Sequence, residues 1–169
     1  MHANLSPGGS LPDLAPTDHN GVVRSLSELA GGDPLVVHFY RGWFCPKERA
    51  WSPELLALGE RAEVAYTGVV SISVDPPDVE AALRAGMGAR WPFLSDQDRT
   101  AQAELDLLEH TDTEHRPYVP TVFVLCPDLT VYSVYNGYWF WGRPSVADLW
   151  RDLREVTRTV RSDWEVPSP

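Results

Sequence analysis

An unbroken apolar run, Pro34 to Tyr40 with Leu35, Val36, Val37, His38 and Phe39 inside it, stops at Arg41-Gly42. A cysteine–proline pair, Cys45-Pro46, follows after Trp43-Phe44. A short apolar run bounded by turn residues reads as a buried strand. Proline is favoured at the first helical position, where its missing N–H costs nothing. Cys45 therefore falls at the N-cap of a helix. The unpaired backbone N–H groups and the positive end of the helix dipole favour negative charge there. That is the setting in which a thiolate, the nucleophilic form of cysteine, is promoted. Arg41 and Lys47 place positive charge nearby. A cysteine at a strand–helix corner is also an ordinary small apolar filler. Its position between Trp43-Phe44 and Pro46 favours the reactive reading.

The remaining elements alternate around this corner. Residues 1–10 read as a flexible leader, rich in Gly, Ser and Pro, to one domain spanning 1–169. Ser25-Leu26-Ser27-Glu28 has capping-box spacing and opens a short helix. A helix from Pro46 to Ala62 is interrupted by Pro53, which removes the bond to Arg49 and frees 46–52 to unwind separately. Val64–Val74 is a second strand, Asp78–Gly86 a helix, and Ser95–Glu109 another helix. Thr121–Leu125 is a strand joined through Asp128-Leu129-Thr130 to a returning strand, Val131–Tyr135. A last helix starts at Ser145 and ends near Arg161. Strands alternating with helices, then a hairpin and a closing helix, give an α/β sandwich with a mixed sheet.

Composition narrows the partners. The 169 residues carry a net charge of −10, which argues against nucleic acid or an anionic membrane as a partner, because phosphate binding needs a basic face. Two cysteines, Cys45 and Cys126, are too few for a disulfide-stapled fold. No signal-peptide pattern and no membrane-length apolar stretch is visible, so the expectation is a soluble protein of a reducing cytoplasm. His110, Asp112, Glu114 and His115 match no metal-site spacing and read as a solvated loop, so no metal or other cofactor is expected.

Tyr40-Arg41-Gly42-Trp43-Phe44-Cys45-Pro46 resembles the Tyr-Arg-Gly-x-Trp-Cys-Pro-x-Cys motif of redoxin-domain, peroxiredoxin-like proteins of the alkyl hydroperoxide reductase and thiol-specific antioxidant superfamily. Leu11–Leu14 and Asp18–Gly21 resemble the family's N-terminal hairpin. Trp91-Pro92-Phe93-Leu94-Ser95-Asp96 resembles its Phe-Pro-x-Leu-Ser-Asp segment, and Val119–Val124 its Pro-x-x-Phe strand. Trp141-Gly142-Arg143-Pro144-Ser145 through Leu153 resembles the tail of this branch. The resemblance covers about residues 11–160. It implies a thioredoxin-like three-layer sandwich with an N-terminal hairpin extension. It also implies a peroxidatic Cys45 that passes through a sulfenic acid, reduced by an external thiol or thioredoxin-like protein. The substrate is then hydrogen peroxide or an organic hydroperoxide, with a homodimer as a possible assembly. Pro120 takes the place of a cis-proline beside the cysteine.

Several positions depart from the family pattern. Its standard site has Pro seven residues and Thr or Ser three residues before the cysteine, where this chain has His38 and Gly42. The usual site arginine aligns with Pro120, leaving Arg41 and Arg143 as replacements. Glu48 stands where the second cysteine of the motif would be, which rules out dithiol exchange within it. One turn into the helix, Glu48 is a base or proton relay, or a first-turn acid that complements the dipole. With Pro120 beside Cys45, Cys126 is six extended residues away, about 20 Å, against the ~7 Å limit between Cα atoms in a disulfide. A one-cysteine mechanism follows. Tyr138 to Trp141 form core and hairpin packing, an apolar wall over the cysteine or a dimer surface, and with Trp43 and Phe44 they suggest a pocket for a bulky, apolar substrate. The candidate set is Cys45, Arg41 and Glu48 for catalysis, and Gly42, Trp43, Phe44, Pro120, Trp141, Arg143 and His38 for substrate. The alternatives are a redoxin-fold enzyme that uses Cys45 on a small organic molecule without peroxidase activity, and a non-catalytic binding module.

Overall fold

A computed structural model describes residues 1, 3–137 and 143–161. Among these residues six strands form one mixed sheet: β1 (Thr17–Asp18), β2 (Leu35–Phe39), β3 (Gly68–Ser73), β4 (Phe93–Ser95), β5 (Thr121–Leu125) and β6 (Val131–Asn136). Their order is β1-β4-β3-β2-β5-β6. β2, β3 and β4 run parallel, whereas β1, β5 and β6 pair antiparallel. β2 and β5 are buried at every position, as continuous apolar runs at the centre of a sheet covered on both faces must be.

Among the described residues five α-helices cover the sheet: α1 (Leu26–Ala30), α2 (Pro46–Val64), α3 (Pro77–Met87), α4 (Thr100–Leu105) and α5 (Val146–Val160). Leu35, Val37 and Phe39 of β2 pack with Leu26 of α1 and Leu105 of α4. Val36 and Tyr40, on the opposite face, pack with Trp51, Leu55 and Leu58 of α2 and Leu149 and Leu153 of α5. The alternation of side chains along one strand thus supplies both cores. Among the described residues no helix is long and apolar enough to cross a membrane.

Four local expectations change. Residues 3–10 are not a loose leader: Leu5 is 2% exposed in the core, and Gly8 N–H donates to Val131 O at 2.8 Å. α2 runs through Pro53 rather than breaking there. The Ser52 hydroxyl donates to Glu48 O at 2.9 Å, adding one bond to the turn in which the proline supplies none. Ser95–Glu109 is not one helix either. Ser95 belongs to β4, and the Asp96 carboxylate accepts from Ala101 and Gln102 N–H, both at 2.9 Å, starting α4 later. Asp106, at φ 52°, then ends it. Finally, no peptide bond among the described residues is cis, so Val119–Pro120 is trans, the lower-energy form for X–Pro.

Candidate active site

The carboxyl ends of the parallel strands β2 and β3 point to one edge of the sheet, where ligand sites gather in α/β sheets. The chain leaves β2 through Tyr40 and Arg41 and makes a turn from Gly42 to Cys45, closed by Cys45 N–H donating to Gly42 O at 3.2 Å. Cys45 is the extended N-cap of α2, with Pro46 in the first turn and no side-chain cap bond. The residue is 5% exposed and its thiol is free. The sequence-level placement of Cys45 at a helix start is thus realised in detail.

Glu48, one turn along α2, is buried and organises the floor of this end. Arg143 embraces its carboxylate through Nε–H at 3.0 Å and through Nη2, and Arg41 N–H donates to it at 3.3 Å. His38 Nε2 stands 3.7 Å from Glu48 Oε2, an ion-pair distance too long for a hydrogen bond. Burial opposes ionisation of Glu48, but His38 and the Arg143 guanidinium outweigh it and hold the carboxyl down at about 2. The other His38 nitrogen, Nδ1, lies 3.3 Å from Ser71 Oγ, and its ring packs on Tyr40 and Trp51. Trp51 Nε1–H donates to Pro144 O at 3.1 Å, which ties the Arg143 segment to α2.

Arg41 points elsewhere. Its Nη2 donates to Asp112 Oδ2 at 2.6 Å, and its guanidinium sits 5.9 Å from the Phe44 ring centroid. Phe44 stacks on His115 with centroids 3.7 Å apart and planes at 12°. The segment after α4 therefore lies against the cysteine loop. His110, Glu114 and His115 are exposed, as expected of a solvated loop, and Asp112 and His115 also contact the cysteine loop; among the described residues no group of three or more His, Cys, Asp or Glu is placed to hold a metal. Trp43 is 55% exposed at the surface of the loop. Pro120 is buried and immediately precedes Thr121, the partner of Phe39 at the end of β2. Trp141 lies outside the described residues.

Cys126 is at the opposite end of the sheet, following Leu125, whose partner is Leu35 at the start of β2. Sequence reasoning missed Asp75, whose carboxylate accepts Trp43 N–H at 2.8 Å. It also missed the buried set behind Asp75. Glu80 of α3 accepts from Ser73 Oγ at 2.6 Å and from Tyr40 OH. The one available signal was an acid, Asp75, two residues past the end of a strand, Gly68–Ser73.

Known proteins share this architecture. The AhpC/TSA family matches residues 7–134. A curated Mycobacterium tuberculosis relative, named "Putative peroxiredoxin Rv1608c", is 29% identical over 136 residues, covering 79% of this chain and 86% of its own. Among solved structures, Peroxidoxin BcpB from Mycobacterium tuberculosis superposes with a TM-score of 0.76 at 23% identity, covering 92% of this chain and 98% of that one. Enterococcus faecalis AhpC gives 0.78 at 17% identity, covering 98% and 99%. The sheet order and helix layers are those of the thioredoxin-like fold of these peroxiredoxins. With the family match spanning most of the chain, from before β1 into β6, and the fold shared along nearly its whole length, the chain belongs to the AhpC/TSA family.

Proposed function

We propose that the protein is a thiol peroxidase that works with one cysteine, Cys45. The observation that carries this reading is the position of Cys45, capping α2 at the carboxyl edge of the sheet, with Cys126 at the far edge. The Cys45 thiolate attacks one oxygen of the peroxide, and the O–O bond breaks. The departing oxygen takes a proton and leaves as water or an alcohol, and the sulfur becomes a sulfenic acid. An external thiol then attacks that sulfur, water leaves, and a second thiol frees Cys45 from the mixed disulfide.

Beside Cys45, the start of α2 presents backbone N–H groups that have no helical partner. Arg143, fixed by Glu48, supplies positive charge on the α2 side. Arg41 braces the loop against Asp112, Phe44 stacks on His115, and Trp43 stands exposed on the loop. Both arginines are engaged by carboxylates, Arg143 by Glu48 and Arg41 by Asp112.

The test is rapid mixing of the wild type, Cys45→Ser and Cys126→Ser with hydrogen peroxide and a bulky organic hydroperoxide, followed by Trp fluorescence. The wild type should react well above the rate of free cysteine. Cys45→Ser should show none of this phase, and Cys126→Ser should stay within about twofold of the wild type. A wild-type rate no faster than free cysteine would sink the proposal.

A further inference from the structure

We propose that Asp75 is a positioning residue for Cys45, setting the turn that delivers the sulfur by holding the backbone of Trp43 and Gly42. This rests on the peroxidase reading. The turn Gly42-Trp43-Phe44-Cys45 closes on itself through Cys45 N–H and Gly42 O. Trp43 N–H has no part in that closure, and Asp75 Oδ2 takes it at 2.8 Å.

Gly42 is pressed against the same carboxylate. Its φ of +123° is a backbone state that side chains rarely adopt, and a Cβ there would lie 2.7 Å from Asp75 Oδ2 and 3.2 Å from Oδ1. Both oxygens therefore define the space through which the loop passes. A single carboxylate fixes two consecutive residues ahead of the cysteine.

Asp75 is itself rigidly held. Its N–H donates to Ser73 Oγ at 2.9 Å, and its carbonyl accepts from Ser95 Oγ at 2.7 Å. The Ser73 hydroxyl donates to Glu80, which also accepts from Tyr40 OH, and Tyr40 N–H donates to Ile72 O at 3.0 Å. The residue where the loop leaves β2 and the residues where it turns are thus tied to one buried scaffold. Burial raises the Asp75 carboxyl, with the Trp43 bond opposing that rise. A carboxylate kept at such a site against the cost of burial is doing more than filling space.

The closing experiment measures two rates for Cys45 in a Cys126→Ser background, with hydrogen peroxide and with iodoacetamide, in the wild type, Asp75→Ala, Asp75→Asn and Asp75→Glu. Peroxide attack depends on a set geometry, and a misplacement of the order of 1 Å is felt strongly, whereas simple alkylation is tolerant. Asp75→Ala should slow the peroxide reaction about tenfold or more while alkylation changes less than about threefold. Asp75→Asn, which keeps an acceptor for Trp43 N–H, should recover most of the loss. Asp75→Glu keeps the charge but adds a methylene against Gly42, so it should show the same selective loss and decides the matter if Asp75→Ala does not fold. Wild-type peroxide rates in Ala and Glu, no recovery in Asn, or peroxide and alkylation rates falling together would each overturn the assignment. A slow wild type would overturn the peroxidase reading and this inference with it, whereas a fast wild type matched by the variants overturns this inference alone.

Discussion

The two cysteines of this chain mark opposite edges of one sheet, and the backbone around each is used differently. Cys45 follows the carboxyl end of β2 and caps a nineteen-residue helix whose first N–H groups have no helical partners. Cys126 follows the carboxyl end of β5, which runs antiparallel to β2 and so ends at the other edge. There the hairpin turn consumes its backbone: Cys126 N–H donates to Thr130 O and its carbonyl accepts from Leu129 N–H, both at 2.9 Å. Burial and then the nearby Asp128 carboxylate push the Cys126 thiol up. Strand direction, more than residue type, decides which cysteine meets free donors and which meets a turn with a carboxylate.

The sharpest way to break this contrast is to remove the acid beneath the Cys45 end. Glu48→Ala leaves the buried Arg143 guanidinium without its counter-charge, an uncompensated arrangement that costs about 3 kcal/mol or more. Urea denaturation at pH 7 should show that loss, and hydrogen exchange should place it in the first turns of α2 while the Cys126 hairpin keeps its protection. The linkage has a definite sign. Glu48 is lowered from 4.5 to about 2, so its stabilisation is complete above about 4.5 and fades as the pH falls towards 2. Acid should therefore weaken the wild type across that window and leave Glu48→Ala flatter there. Equal loss of protection at both ends of the sheet would contradict a local role.

The Cys45 end was legible in the sequence because its grammar is local. An apolar run, a glycine break and Cys-Pro specify strand, turn and helix cap without reference to the rest of the chain, and the serine N-caps at Ser25 and Ser145 are local in the same way. What stayed hidden is long-range. Asp75 is 32 residues from Trp43, Arg143 is 95 from Glu48, and Asp112 is 71 from Arg41. No pattern in a single sequence announces such pairs. The misplacement of α4 has a related cause: Asp96 reads as a first-turn acid inside a helix, whereas its carboxylate caps a helix that starts at Thr100 and also accepts Tyr118 OH from 22 residues away. Pro53 misled in the other direction, since a proline penalises a helix but packing of Trp51, Leu55 and Leu58 against the sheet carries α2 through it.

Glu80 offers a subtler probe of the Cys45 end. It is completely buried, and burial lifts its carboxyl to about 8 in spite of the Ser73 and Tyr40 hydrogen bonds. The folded state therefore keeps a proton that the unfolded chain releases above about 4.5, and the stability from Glu80 is lost as the pH rises from there to about 8. Each pH unit within that window weakens the fold by at most about 1.4 kcal/mol from this one site. Between pH 6 and 7.5 the wild type should thus lose up to about 2 kcal/mol that Glu80→Gln, which carries no ionisable proton, does not lose. Parallel stability profiles for the two proteins would show that Glu80 ionises in the folded state as freely as in the unfolded chain.

The smallest expected effect tests the other member of the comparison. With Cys45 replaced by Ser, alkylation of Cys126 reports its thiolate directly, because the thiolate is the reacting form. A raised thiol holds less thiolate at neutral pH, so Cys126 should react more slowly than free cysteine at pH 7 and approach it as the pH rises. Burial is the larger cause of that rise and the Asp128 carboxylate the lesser. Asp128→Asn, which removes only the charge, should therefore speed alkylation at pH 7 by no more than about threefold, since a partly exposed pair two residues apart is screened by solvent. A tenfold gain would make the charge, not burial, the reason Cys126 is quiet. The two ends of the sheet would then differ by the side chains around them, and the direction of β5 would lose its explanatory role.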